Sequence, residues 1–229
     1  MNKPEISFHQ SFDEYFKESI EIGMDIDAEK VKGRIIKLIK EAWQKLIKRH
    51  NINFINRIDV VIRTYNSEIM PLVTRDGVVI RLDLGREGIN FQDKEDIHSY
   101  IFHEIYHLAD RLDPKFNMDY HKDAEVKQKN LGKVINVVWD LYIERRKFYI
   151  YRIRPIYCKD TKFQSTNKIK ETSQNSFLNI IDNLGGDIEI SKSIFNKIWS
   201  LSNLITYCQI YDYSMQICPK DKCCSVNCY

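Results

Sequence analysis

The order of apolar and polar residues predicts helices over most of this chain. In residues 27–50 apolar side chains recur every three to four positions, which is the period of a helix that buries one face. Asp27 precedes this run, in the place of a helix N-cap. We therefore expect an amphipathic helix whose buried face consists of Val31, Ile35, Leu38, Ile39, Ala42, Leu46 and Ile47.

The period changes in the segment that follows this helix. The stretch RIDVVIRTY (57–65) is rich in β-branched residues, and GVVIRLDL (77–84) alternates apolar with other side chains. Asp76-Gly77 is typical of a hairpin turn, so we expect residues 69–74 to pair with the second stretch. These features predict a small, largely antiparallel sheet of about three strands.

Helical periodicity returns at residues 93–112. Asp93 stands in the N-cap position, and Asp113-Pro114 ends the helix because proline disfavours helical backbone in the residue before it. The apolar stripe of this helix consists of Ile97, Ile101, Ile105, Leu108 and Leu112.

The rest of the chain is predicted to be helical, with a polar linker at 159–174. Three segments have helical periodicity: 123–149, about 175–184 and about 190–208. We expect a core domain at residues 1–150 and a helical C-terminal extension with a cysteine-rich tail at residues 151–229. A sheet between helices makes the predicted fold class α+β.

Composition and charge exclude several classes of protein. The chain is 43% hydrophobic and 12% aromatic, as in a globular protein, and its net charge of +3 predicts neither nucleic-acid nor membrane-surface binding. No run of eighteen apolar residues and no secretory leader are visible. We therefore expect a cytoplasmic protein with no membrane partner.

The stretch IHSYIFHEIYHLADRLDP contains the candidate chemistry, because two histidines lie four residues apart in a predicted helix. His103 and His107 share one helix face, so both imidazoles can reach one cation. Zinc is the expected ion, since two imidazoles are common among its ligands. Glu104 follows the first histidine and is the candidate general base for a zinc-bound water.

The string HEIYH, together with this order of helix, sheet, helix and second helix, resembles the zincin metallopeptidases over about residues 30–148. The resemblance implies a zincin-like minimal core that binds one zinc ion and hydrolyses peptide bonds. It also implies that a polypeptide substrate binds in extended form along an edge strand near residues 78–84.

A catalytic zinc site needs a third protein ligand and keeps one position open. Asp140 and Glu144 are four residues apart and share a face of the predicted helix at 123–149. In related zincins a carboxylate ligand is followed four residues later by a carboxylate that orients the first histidine, and this pair resembles that arrangement with Asp and Glu exchanged. We favour Asp140 as the ligand and Glu144 as the carboxylate that orients His103.

Three other residues are alternative third ligands. Asp113 is one, because HEIYHLADRLD resembles the metzincin string, although Asp110 stands where metzincins have glycine. Glu144 itself and His121 are the others. His121 is also the favoured candidate for the donor that stabilises the transition-state oxyanion.

Two other functions are compatible with the sequence. The chain can be a catalytically inactive zincin-like protein that binds or regulates a partner. Alternatively the cysteine-rich tail is the functional part and delivers or senses a metal, since cysteines in a reducing compartment are expected to be free thiols or metal ligands and not disulfides. The cysteines of this tail are Cys218, Cys223, Cys224 and Cys228.

Overall fold

The structure, a computed structural model, describes residues 4–21, 27–50, 57–63, 78–83, 93–116, 129–156, 158, 165–201 and 205–218. In these ranges the chain forms seven α-helices and three short β-strands. The described residues fall into two compact units, one ending at Asp113 and the other beginning at Pro114.

The first unit contains all three described strands and three of the helices. Its elements are β1 (Glu5–Phe8), α1 (Gln10–Glu21), α2 (Ala28–His50), β2 (Arg57–Arg63), β3 (Val78–Asp83) and α3 (Lys94–Leu112). The described part of the second unit is helical. Its elements are α4 (Lys129–Tyr151), α5 (Thr166–Asn183), α6 (Ile188–Ser200) and α7 (Tyr207–Ile217).

The sheet corrects the predicted fold class. Its strands run in the order β1-β2-β3, and both pairs are parallel, with Ile58 opposite Ile6 on one side and Val78 on the other. The predicted α+β fold with a largely antiparallel, zincin-like core is therefore wrong, and the chain is mainly α-helical. The β-branched residues of β2 and the alternation of β3 predicted the two strands, but neither pattern carries information on strand direction. The hairpin partner at 69–74 lies outside the described residues.

Helices α2 and α3 confirm two of the sequence predictions. Asp27 caps α2 by accepting a hydrogen bond from the backbone N–H of Lys30 at 3.0 Å. Asp93 caps α3 by accepting from the N–H of Glu95 at 2.8 Å. The two helices pack on each other through their predicted apolar stripes. Buried members of those stripes are Val31, Ile35, Leu38, Ile39, Ala42, Ile97, Ile101, Ile105 and Leu108.

Helix α4 is the central helix of the second unit. It covers the later part of the helix predicted at 123–149, of which residues 123–128 lie outside the described residues. Every side chain from Leu141 to Phe148 is buried, and α5, α6 and α7 all pack on this helix. This stretch of α4 is buried on all sides and therefore belongs to the core of the unit.

The helices after α4 differ from the predicted bounds. Helix α5 begins at Thr166, so the predicted linker is wrong from that residue onward. One residue in every four is buried along α5, and because the sequence between them is mostly polar, the helical period is difficult to detect. The buried residues are Ile169, Ser173, Phe177 and Ile181. The segment predicted at 190–208 is divided, because α6 ends at Ser200 and Thr206 starts α7 with a capping box to Gln209.

Three further predictions concern membrane spans, the division of the chain and the cysteines near the C-terminus. In the described ranges no helix is both long and apolar enough to cross a membrane. The predicted division of the chain into a core domain at residues 1–150 and a C-terminal extension at residues 151–229 separates parts by function, and it stays a prediction. Cys218 is disulfide-bonded, so the expected free thiol or metal ligand is wrong at this position. Residues 219–229 lie outside the described residues.

Candidate metal site

Helix α3 brings the two histidines of HEIYH together, as the spacing predicts. Nε2 of His103 lies 3.0 Å from Nε2 of His107, and the ring centroids are 4.7 Å apart with a 73° interplanar angle. His103 is buried and His107 is half-buried. The two nitrogens therefore converge on one point beside the helix.

Asp140 on α4 completes a group of three metal-ligand side chains. One ligand atom from each of His103, His107 and Asp140 lies within 4.8 Å of the other two. In a tetrahedral zinc site with bonds of about 2.0–2.1 Å, neighbouring ligand atoms are about 3.3–3.4 Å apart. The two imidazole nitrogens, 3.0 Å apart, are close to that separation. Two imidazoles and a carboxylate are also a donor set that suits catalytic zinc.

Glu104 is placed by the same helix, one residue after His103. Its side chain is half-buried. Successive residues of an α-helix are rotated by about 100°, so Glu104 flanks the face that carries the histidines. Its role as general base stays a prediction.

Asp113 and Glu144, two of the alternative third ligands, are not members of this group of three. Asp113 ends α3, and its backbone N–H donates to the carbonyl oxygen of Asp110 at 3.2 Å, so the residue has the helix-stopping role that its place before proline indicates. Glu144 is fully buried on α4. His121 lies outside the described residues, and its predicted role as oxyanion donor stays a prediction.

Glu144 has partners that the sequence did not indicate. Its carboxylate accepts from Nζ of Lys147 at 2.8 Å and from the backbone N–H of Ile156 at 2.7 Å. Its predicted role, the orientation of His103, stays a prediction beside these contacts. The spacing of Glu144 and Lys147, three residues apart on a helix, was the signal that could have revealed the ion pair.

The basic run that follows Glu144 is buried. Burial lowers the pKa of the Arg145 guanidinium below its ordinary value, and Nε of this residue donates to the Trp199 carbonyl oxygen at 3.4 Å. The guanidinium of Arg146 lies 4.2 Å from the ring centroid of Tyr142. Aromatic residues four positions before or after an arginine were the sequence signal for this burial.

Comparison with protein-family models, with curated proteins and with solved structures found no match to this chain. The resemblance to zincins is thus confined to the HEIYH string and to the spacing of the acids on α4, since the sheet is parallel.

Proposed function

We propose that this protein is a zinc-dependent hydrolase that cleaves peptide bonds. The observation that supports the proposal most directly is the approach of His103, His107 and Asp140 to within 4.8 Å of one another. Three ligands of these kinds leave a tetrahedral ion with one position for water or substrate, which is what a catalytic zinc site requires.

The chemistry divides between the ion and the residues around it. When bound, zinc lowers the pKa of a water molecule to about 7 and polarises the carbonyl to be attacked. His103 and His107 would hold the ion from one face of α3, and Asp140 would supply a negative charge that offsets part of the ionic charge. Histidine ligands must be neutral to bind, so the site loses its metal in acid.

Glu104 takes the proton from the attacking water in this proposal and returns it to the leaving amine. A carboxylate beside a metal ligand is suited to both steps, because it can exchange a proton with water without competing for the ion. Its half-buried position gives it access to a water molecule while limiting the solvent around its charge.

An extended polypeptide is the proposed substrate, and β3 is its proposed binding edge. Among the described strands β3 pairs on one side only, with β2. The same strand lies against α3, which carries the histidines. A peptide that adds to β3 through backbone hydrogen bonds would therefore run near the metal site.

Metal analysis of purified protein tests the proposal. We expect about one zinc per chain in the wild type, and much less in His103→Ala, His107→Ala and Asp140→Ala. Asp113→Ala is the matched control, because it removes another carboxylate that follows the same helix and should leave the zinc content unchanged. Equal zinc in the wild type and in all three ligand variants would contradict the site.

A zinc-loaded wild type that cleaves no peptide would favour the other function, a catalytically inactive binding or regulatory protein. The zinc content and the cleavage of a mixed peptide library should therefore be measured on the same preparation. Zinc binding with cleavage supports the hydrolase. Zinc binding without cleavage retains the site and removes the enzyme.

A further inference from the structure

The turn of α4 that follows Asp140 contains a buried ion pair. Glu144 and Lys147 are both fully buried, and Nζ of Lys147 lies 2.8 Å from one carboxylate oxygen of Glu144 and 3.1 Å from the other. Transfer of two charges from water into a protein interior costs free energy that a single ion pair often fails to return. A stabilising role alone therefore explains this pair poorly.

The same carboxylate also holds the segment that leaves α4. The backbone N–H of Ile156 donates to Oε2 of Glu144 at 2.7 Å. Between them α4 ends, and the first residue after it, Arg152, has a φ of 56°, in the left-handed region that non-glycine residues rarely adopt. Strained backbone of this kind persists only where its surroundings fix it. Glu144 is thus part of what fixes this stretch of backbone.

Asp140 lies one helical turn before Glu144. Four residues on an α-helix correspond to a rotation of about 40° and a rise of about 6 Å, so the two carboxylates lie one behind the other on one side of α4. Lys147 lies on the same helix as Glu144, whereas Ile156 lies beyond its end, so the hydrogen bond from the Ile156 N–H is the one of the three that ties this side of α4 to a segment outside the helix. A rotation or shift of this side of α4 relative to that segment would break this bond.

We infer that Glu144 is a positioning residue for the metal site: held by Lys147 and Ile156, it fixes the turn of α4 that presents Asp140. This inference rests on the proposed function, since it assigns Asp140 as a ligand. The effect of Glu144 on the ion is transmitted through the helix backbone to Asp140.

Tyr142 provides a matched control on the opposite side of the same helix. Its hydroxyl accepts a hydrogen bond from the backbone N–H of Ile205 at 3.0 Å, and the side chain is buried. Two residues on a helix correspond to a rotation of about 200°, so Tyr142 faces away from Asp140. Loss of this hydrogen bond removes a buried polar contact of α4 without touching the Glu144 side.

The experiment measures zinc affinity by competition with a chromogenic chelator, and the visible spectrum of the cobalt(II) form, on the full chain. The principal variant is Glu144→Leu with Lys147→Met, which removes the carboxylate without leaving a buried ammonium alone. We expect zinc binding about 10- to 100-fold weaker and an altered cobalt spectrum. Glu144→Gln with Lys147→Met restores an acceptor for Ile156 and should recover affinity to within about threefold of the wild type.

A merely structural role for Glu144 would give a different result. In that case the Leu/Met variant would lower the unfolding temperature while its folded form bound zinc as the wild type does, and the inference would be overturned. Tyr142→Phe should lower the unfolding temperature and leave zinc affinity unchanged.

If the variant with Glu144→Leu and Lys147→Met does not fold, Glu144→Asp provides the test. Its shorter side chain retracts from Ile156 and should weaken zinc binding about fivefold or more. Unchanged zinc binding in Glu144→Asp would refute the inference.

The wild type and His103→Ala separate this inference from the proposed function. A wild type that binds no zinc, or binds it as tightly as His103→Ala does, removes the metal site itself. A wild type that binds zinc through His103, beside a folded Glu144 variant of equal affinity, retains the site and removes only the positioning role.

Discussion

At the scale of single residues, the sequence specified the histidine pair and left the third ligand open. The i, i+4 spacing of His103 and His107 dictates that their rings share a helix face, and the structure places their Nε2 atoms 3.0 Å apart. Asp140 is 33 residues away from His107, and helical spacing cannot show which distant carboxylate approaches. The bond from Ile156 to Glu144 was unpredictable because a backbone group has no sequence signature, whereas the i, i+3 spacing of Glu144 and Lys147 was a signal for their ion pair.

The prediction at this scale concerns Glu104. Glu104→Gln keeps the size of the side chain and removes the basic carboxylate, so zinc content should equal that of the wild type. The rate of peptide cleavage should fall by about 10²- to 10⁴-fold, the usual contribution of a general base. Cleavage assays and metal analysis on one preparation check both statements. Cleavage at the wild-type rate would remove Glu104 from the role of base.

At the scale of elements, capped helices with wide apolar stripes were predictable, and strand direction was not. Asp27 and Asp93 cap α2 and α3 where the sequence placed them. In contrast, a parallel pair and a hairpin differ in the segment that connects the two strands. For the parallel pair β2 and β3 this segment is residues 64–77, which lie outside the described residues. The four-residue strand β1 is too short for alternation to indicate it.

The turn between α5 and α6 gives an element-scale prediction. A Cβ atom at Gly186 would lie 2.5 Å from Cγ2 of Ile181 and 2.8 Å from Cγ2 of Ile217, so α5 and α7 approach each other too closely here for a side chain. Gly186→Ala should lower the free energy of unfolding by about 1–3 kcal/mol, because overpacking displaces one of these helices.

Gly33→Ala is the control for this substitution. Gly33 lies within α2, and a Cβ atom there meets nothing within 4 Å. Alanine at a helix interior is favoured over glycine by about 0.5–1 kcal/mol, so this variant should be more stable than the wild type. Denaturant unfolding of both variants measures the difference, and equal stability of the two would show that the close approach at Gly186 is absent.

At the scale of the whole molecule, composition and charge predicted a globular chain but not its mainly helical class. The second unit contributes to the mainly helical class, because three helices follow α4 and pack on it. One of the aromatic contacts in this unit is the stacking of Phe116 on Trp139, with ring centroids 5.3 Å apart, and the backbone N–H of Tyr207 donates to the Phe116 carbonyl oxygen at 2.8 Å. Long-range contacts of this kind have no periodic signature in the sequence.

The most direct test of the central claim is X-ray absorption spectroscopy at the zinc edge of the zinc-loaded full chain. We predict a shell of nitrogen and oxygen ligands at about 2.0–2.1 Å with the scattering pattern of two imidazoles, and a loss of one oxygen ligand or of the ion in Asp140→Ala. A sulfur shell at about 2.3 Å would instead indicate cysteine ligands. That result, or a spectrum without imidazole scattering, would contradict a metal site made of His103, His107 and Asp140.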